Sequence, residues 1–172
     1  SGMNQKVLVI GAERLTWYMN WSRRETAVLL GDAAGAVVLE SSDQAVGLLS
    51  SKIGCDGEVR DILCMDNFGT GMDRFANPPG LFYIHFEGQE IFKRAVKGMG
   101  EASQAVLERA KLDASAIDLV IPHQANKRII DTLAKRMKIP EERVVVNIEN
   151  YGNTSAATIP VAMCMALEAG RI

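Results

Sequence analysis

Short apolar runs closed by glycine, followed by longer amphipathic stretches, set the pattern of this chain. Val7-Leu8-Val9-Ile10 ends at Gly11 and predicts a buried strand. Ala27 to Leu30, then Gly31-Asp32-Ala33-Ala34-Gly35, then Ala36 to Leu39 predict strand, tight turn, strand. A further strand is predicted across Val46 to Ile53. Gly54 to Gly80 is rich in Gly, Asp, Asn and Pro, with Phe68, Met72 and Phe75 interspersed. A loop of that length in a compact domain points to a binding or lid element.

The helical period is clear from Glu87 to Lys111, where Ile91, Phe92, Ala95, Val96, Met99, Ala102, Val106 and Ala110 share one face. Val120-Ile121 predicts a short strand ending at Pro122. A helix is predicted from Ala125 to Met137, with Pro140 marking its break. Val144 to Ile148 predicts another strand. The last helix, Ser155 to Ala169, is apolar nearly all round, which predicts a central, buried helix. Such a helix just before Ile172 needs cover from elsewhere, and Ser1-Gly2-Met3 is either an expression scar or a native loop. The expectation is therefore part of a larger fold, incomplete at both ends. Strands alternating with helices indicate an α/β layered fold.

Composition narrows the function classes. The 172 residues suit one core; 48% are apolar, 23% charged, and the net charge is −2. Nothing in that balance calls for nucleic acid or a membrane surface as a partner, and no apolar run approaches the ~20 residues that span a bilayer. Cys55, Cys64 and Cys164 are widely spaced and read as reduced thiols in a cytoplasmic protein. With His85 and His123 the only histidines, no metal site is expected.

Candidate chemistry concentrates at two strand-to-helix junctions. His123 lies in Ile121-Pro122-His123-Gln124-Ala125-Asn126, and Asn153 in Asn150-Tyr151-Gly152-Asn153-Thr154-Ser155. Each has a bland alternative: a structural histidine bonded to a backbone carbonyl, and a helix-capping asparagine. Together they form two neutral hydrogen-bond donors able to share one oxygen, which stabilises an enolate or oxyanion but supplies no nucleophile. Cys164 lies mid-helix, and neither Cys55 nor Cys64 sits at a strand-to-helix elbow. His85 reads as structural, and Asp32 as a residue fixing its turn. Lys127, Arg128, Lys135, Arg136 and Lys138 fall on one arc of the helix after His123: a solvated face, or a cationic rim suited to phosphates or an acidic protein.

These motifs add up to a family. Ile121-Pro122-His123-Gln124-Ala125-Asn126-x-Arg128-Ile129-Ile130, then Asn147-x-x-x-Tyr151-Gly152-Asn153-Thr154-Ser155-Ala156-Ala157, resemble β-ketoacyl-acyl-carrier-protein synthase III. Gly31-Asp32-x-Ala34-Gly35-Ala36 and Gly88-Gln89-Glu90-Ile91-Phe92-Lys93 match two further segments in order, so the resemblance runs from about Lys6 to Ile172.

The resemblance implies a thiolase-like αβαβα layered fold, with residues 1–172 a C-terminal domain carrying the His/Asn half of a Cys-His-Asn site. In that family a cysteine takes an acyl group from acyl-CoA, malonyl-acyl-carrier-protein loses CO₂, and its enolate attacks the acyl thioester, initiating fatty-acid synthesis. His123 and Asn153 match the residues that hold the malonyl thioester carbonyl. Gln124, Ala125, Asn126, Lys127 and Arg128 match the carrier-protein-binding stretch, with Lys93, Lys135 and Arg136 on the same surface. Arg24, Phe92 and Asn126 match positions around the coenzyme A channel.

The resemblance also implies a homodimer when intact, and no cofactor beyond acyl-CoA as substrate. The family's cysteine belongs to an N-terminal half that these residues do not include, so this chain alone is expected to be inactive. Ala33 stands where the family usually has glycine. Thr16 to Arg24 and Gly54 to Gly80 fit the acetyl-starter pattern poorly, leaving the starter acyl group open. Two rival readings keep the residues and change the role: a secondary-metabolite ketosynthase or acyltransferase, and a non-catalytic fragment that binds carrier protein.

Overall fold

The computed structural model describes residues 4–44, 46–65 and 84–172. Its first element is a long antiparallel ribbon of β1 (Lys6–Arg14) and β2 (Asp32–Glu40). The register pairs Lys6 with Glu40, Gly11 with Gly35 and Arg14 with Asp32. Between the strands lie a 3-10 turn at Leu15–Tyr18 and the short α1 (Arg24–Ala27). The Asp32 carboxylate accepts from the Thr16 backbone N–H at 2.8 Å and from its hydroxyl at 2.5 Å, so it fixes that 3-10 turn.

The ribbon corrects the expected hairpin. Ala27 to Leu30 is not a strand, and Gly31 to Gly35 is not a turn but the run into β2 and its first residues. The small residues that read as a turn serve close packing instead. A Cβ on Gly11 would lie 2.3 Å from the Ala156 carbonyl oxygen, one on Gly31 2.0 Å from that of Tyr151, and one on Gly35 2.9 Å from Pro160. Residues 151–160 therefore lie against bare backbone, and glycine supplies the room.

No strand forms across residues 46–53, where Leu48, Leu49 and Ile53 are exposed. Within the region read as a long loop, a 3-10 segment (Gly57–Ile62) leads into β3 (Leu63–Met65), which pairs antiparallel with β4 (Ile84–Phe86). Phe68, Met72 and Phe75 lie outside the described residues. His85 is exposed on β4, its Nε2 3.4 Å from a Glu87 carboxylate oxygen.

The amphipathic segments fold as expected, into α2 (Gly88–Ala110) and α3 (Lys127–Met137). The two apolar runs expected as strands, at 120–121 and 144–148, shrink to one parallel bridge between Val120 and Val144. It is held by Val120 N–H donating to Arg143 O at 2.8 Å and Val145 N–H to Val120 O at 2.9 Å. Pro122 has no N–H to extend the pair, and after Asn147 the chain turns into α4 (Ile148–Tyr151).

Side-chain alternation on this short pair separates two cores. Val144 packs with Ile130 and Ile139, joined by Val120 and Ala134; Val145 packs with Ala162 and Ala166, joined by Leu119 and Ile121. The result is a layer order of α3, extended pair, α5 (Thr158–Glu168). The expected all-round burial of the last helix is corrected: Thr158, Ala162 and Ala166 are buried, whereas Met163, Cys164 and Leu167 are exposed. Its start is also looser than expected, with a separate 3-10 turn at Ser155–Ala157.

Candidate active site

His123 follows the buried Pro122 at the end of the extended pair, and the next residue fixes where it sits. The Gln124 side-chain amide donates to Pro122 O at 3.1 Å and Val145 O at 3.0 Å, and its oxygen accepts from Asn147 N–H at 3.0 Å. Gln124 is only 1% exposed. Within the stretch expected to bind carrier protein, this side chain faces inward and clips together two strand ends that a single bridge would hold weakly. Gln124→Ala in the full-length protein is expected to lower stability by about 2–3 kcal/mol, because a buried Asn147 N–H loses its acceptor. Denaturant unfolding measures it.

The His123 ring is half-buried, and that burial lowers its pKa below the ordinary imidazole value. The neutral ring is the form an uncharged donor requires. Its Nδ1 lies 2.6 Å from Oγ1 of Thr158, the first residue of α5, and the same oxygen lies 2.9 Å from the Ser155 carbonyl.

Asn153 is anchored through its backbone. Its N–H donates to Leu29 O at 2.9 Å, and Gly31 N–H donates to Asn153 O at 3.0 Å, forming a parallel bridge centred on Leu30. The side-chain oxygen accepts from Ser155 N–H at 3.0 Å, a local Asx-type turn that orients the amide so that its NH₂ is the remaining donor face. Gly152, at φ 68°, and Ser155, at φ 46°, bracket the turn in left-handed conformations. For Ser155 that conformation is uncommon, and such backbone clusters at functional sites. Across the ribbon, a Glu13 carboxylate oxygen accepts from Ala156 N–H at 3.3 Å. His123 and Asn153 thus meet on one small unit, the Ser155–Thr158 turn, which holds the ring of one and the amide of the other.

The remaining expected residues divide between two elements and a distant helix. Asn126 caps α3, its side-chain oxygen accepting from Arg128 N–H at 2.9 Å. The Arg128 guanidinium lies 5.6 Å from the centre of the Phe92 ring, joining α3 to α2 by a cation–π contact. Lys93, Lys127, Arg128, Lys135 and Arg136 are exposed, while Ala125 and Asn126 are half-buried at the rim. Lys127 shares its charge with Asp131 at 3.1 Å. Arg24 is exposed on α1, in the connection between β1 and β2. Cys55 and Cys164 are exposed, and Cys64 is half-buried with its Sγ 3.6 Å from the Asp61 carbonyl oxygen. Among the described residues no cluster of three His, Cys, Asp or Glu could hold a metal.

Sequence comparison gives this geometry a lineage. A sequence model of the family described as 3-oxoacyl-[acyl-carrier-protein (ACP)] synthase III matches residues 1–57, and one for its C-terminal part matches residues 107–172. β-Ketoacyl-[acyl-carrier-protein] synthase III 2 of Vibrio cholerae is 58% identical over 165 residues, 96% of this chain and 46% of that protein. The chain belongs to the β-ketoacyl-acyl-carrier-protein synthase III family.

Solved synthase III structures carry the fold match. The enzyme of Aquifex aeolicus superposes with a TM-score of 0.88 at 43% identity, over 98% of this chain and 50% of that one. The Thermus thermophilus enzyme gives 0.88 at 41% identity, over 99% and 53%. The priming β-ketosynthase of a polyketide biosynthetic pathway gives 0.85 at 32%, over 100% and 51%. The fold is the α/β thiolase-like fold of the synthase III family, and the chain spans about half the length of the curated relatives it matches.

One residue of the site escaped the sequence reading. Thr158 carries the one hydroxyl in the first turn of a helix whose next residues are Ile159, Pro160 and Val161, and that isolated polarity was its only signal. The inward turn of Gln124 was not legible, because nothing local distinguishes an inward from an outward glutamine.

Proposed function

We propose that these residues form the enolate-holding half of a decarboxylative Claisen condensing enzyme of the synthase III type. The observation supporting this reading is the shared Ser155–Thr158 turn, which contacts both the His123 ring and the Asn153 carboxamide. The malonyl thioester carbonyl would accept from His123 Nε2–H and Asn153 Nδ2–H. As the C–CO₂ bond breaks, its electron pair enters the enolate, and negative charge grows on that carbonyl oxygen. Donors already in place need no reorganisation at that moment. CO₂ leaves, and the enolate carbon attacks the acyl thioester, expelling the thiolate that carried the acyl group.

That thiolate belongs to a cysteine outside residues 1–172. Cys55, Cys64 and Cys164 stand on a loop, on β3 and on the exposed face of α5, not at the junctions that carry His123 and Asn153. In the intact cytoplasmic homodimer, acyl-CoA is the acyl donor, with Arg24, Phe92 and Asn126 lining its channel. The acyl carrier protein docks on Lys93, Ala125, Lys127, Arg128, Lys135 and Arg136. The decisive experiment incubates the full-length protein with short- and medium-chain acyl-CoAs and malonyl-carrier protein and follows the 3-ketoacyl product by mass. Absence of any new carbon–carbon bond would sink the reading.

A second reading, chain priming in polyketide synthesis, draws support from the likeness to a priming β-ketosynthase. It keeps the chemistry and changes the carrier. Lys135→Glu separates carrier docking from chemistry, because Lys127 is already partly neutralised by Asp131. The expected result is a several-fold rise in KM for malonyl-carrier protein at low salt, shrinking as salt rises, with KM for acyl-CoA unchanged.

A further inference from the structure

We propose that Glu13 of β1 is a positioning residue: its carboxylate holds the Ser155–Ala156 peptide, through which the turn supports both His123 and Asn153. The consequence for rate rests on the proposed enolate site; the anchoring itself does not. The Ala156 N–H donates to Glu13 Oε1 at 3.3 Å, across 143 residues of sequence. The other end of the same planar peptide is the Ser155 carbonyl, which accepts the Thr158 hydroxyl at 2.9 Å and the Thr158 backbone N–H. That hydroxyl oxygen is the atom 2.6 Å from His123 Nδ1. A short chain of bonds therefore runs from a strand carboxylate to the ring. Because the peptide is rigid, its N–H cannot turn without its C=O turning too.

The peptide needs a hold from outside the turn. Ser155, at φ 46°, stands in the left-handed region, an uncommon setting for a residue with a side chain that persists only where its surroundings impose it. Rotation back toward ordinary backbone would swing the Ser155 carbonyl away from Thr158. It would also release Ser155, whose N–H orients the Asn153 amide at 3.0 Å. β1 opposes this at two points. Gly11 and Glu13 lie two apart, on one face of the strand. Bare Gly11 admits the Ala156 carbonyl, whose oxygen would lie 2.3 Å from an added Cβ, and Glu13 takes the N–H of the same residue. Gly11 sets the distance and Glu13 sets the direction. Ala156 is exposed, so water can accept from a freed N–H, but water is not tethered to β1.

The test uses the full-length protein labelled with ¹⁵N-alanine, with the Ala156 amide assigned by its loss in Ala156→Ser. Glu13→Gln keeps an acceptor oxygen at the same reach, and is expected to match wild type in Ala156 hydrogen exchange and in malonyl-thioester decarboxylation. Glu13→Met keeps the length and removes the acceptor. Its Ala156 amide should exchange roughly five- to tenfold faster, the worth of one net hydrogen bond. Its kcat for decarboxylation should fall on the order of tenfold, short of the ~10²–10³ for deleting a donor outright. Acylation by acyl-CoA, followed by intact mass, should keep its wild-type rate, which a loosened fold would not allow.

A Glu13→Met protein with unchanged Ala156 exchange or unchanged decarboxylation overturns the proposal. So does a Glu13→Gln protein as impaired as Glu13→Met, because charge and not the acceptor would then matter. If Glu13→Met does not fold, wild type and Glu13→Gln decide alone: an Ala156 amide that is unprotected in wild type, or an impaired Glu13→Gln, overturns it, and a protected amide with matched rates supports it. If Ala156 exchange responds as expected but wild type never decarboxylates a malonyl thioester, the anchoring by Glu13 stands and the condensing function falls.

Discussion

Replacing His123 by alanine in the full-length enzyme is expected to lower malonyl-thioester decarboxylation by about 10²–10³-fold, with a similar loss for Asn153→Ala. In the proposed site the two donors share one oxygen, and one turn contacts both, through Thr158 for the ring and Ser155 for the amide. Removing either leaves the other unable to hold the enolate alone, so the double variant should lose far less than the product of the single losses. On the proposed reading, acyl transfer from acyl-CoA to a nucleophilic cysteine does not need this oxygen site, so intact mass should still show the acylated protein in both variants. That contrast separates a lost donor from a collapsed fold. An alanine variant decarboxylating within a few-fold of wild type would remove His123 from the chemistry.

The sequence made the long-period features legible and hid the close-range ones. α2 and α3 follow their apolar stripes to within a residue or two, because an amphipathic helix is determined by its own repeat. The junctions that carry His123 and Asn153 were legible too, since each stands where an apolar run gives way to helix. The ribbon was not. Gly31, Ala33, Ala34 and Gly35 look like turn chemistry in one dimension, and only the approach of Tyr151 and Pro160 in space explains why they lack side chains. The run at 46–53 has the composition of a strand but finds no partner among the described residues, and strand propensity without pairing decides little. Thr158 and Gln124 act through contacts 35 and 21 residues away in sequence, beyond any local pattern.

Gly31 carries the second large expected effect. A methyl group there would stand 2.0 Å from the Tyr151 carbonyl oxygen, a backbone atom that cannot rotate aside. Relief requires the ribbon and residues 151–153 to separate, which breaks the Gly31 N–H bond to Asn153 O at 3.0 Å. Gly31→Ala is therefore expected to destabilise the protein by about 3 kcal/mol, the upper part of the range for overpacking a filled interior. Gly57→Ala, with nothing within 4 Å of its added carbon, is the control and should shift the unfolding midpoint little. Activity should fall further than stability in Gly31→Ala, because the displaced residue is Asn153 itself. Protein that is still folded by circular dichroism should decarboxylate slowly while acylating normally. A Gly31→Ala protein as stable and active as the Gly57→Ala control would mean that the ribbon does not press on the Asn153 turn, and that the turn is held in place by α5 alone.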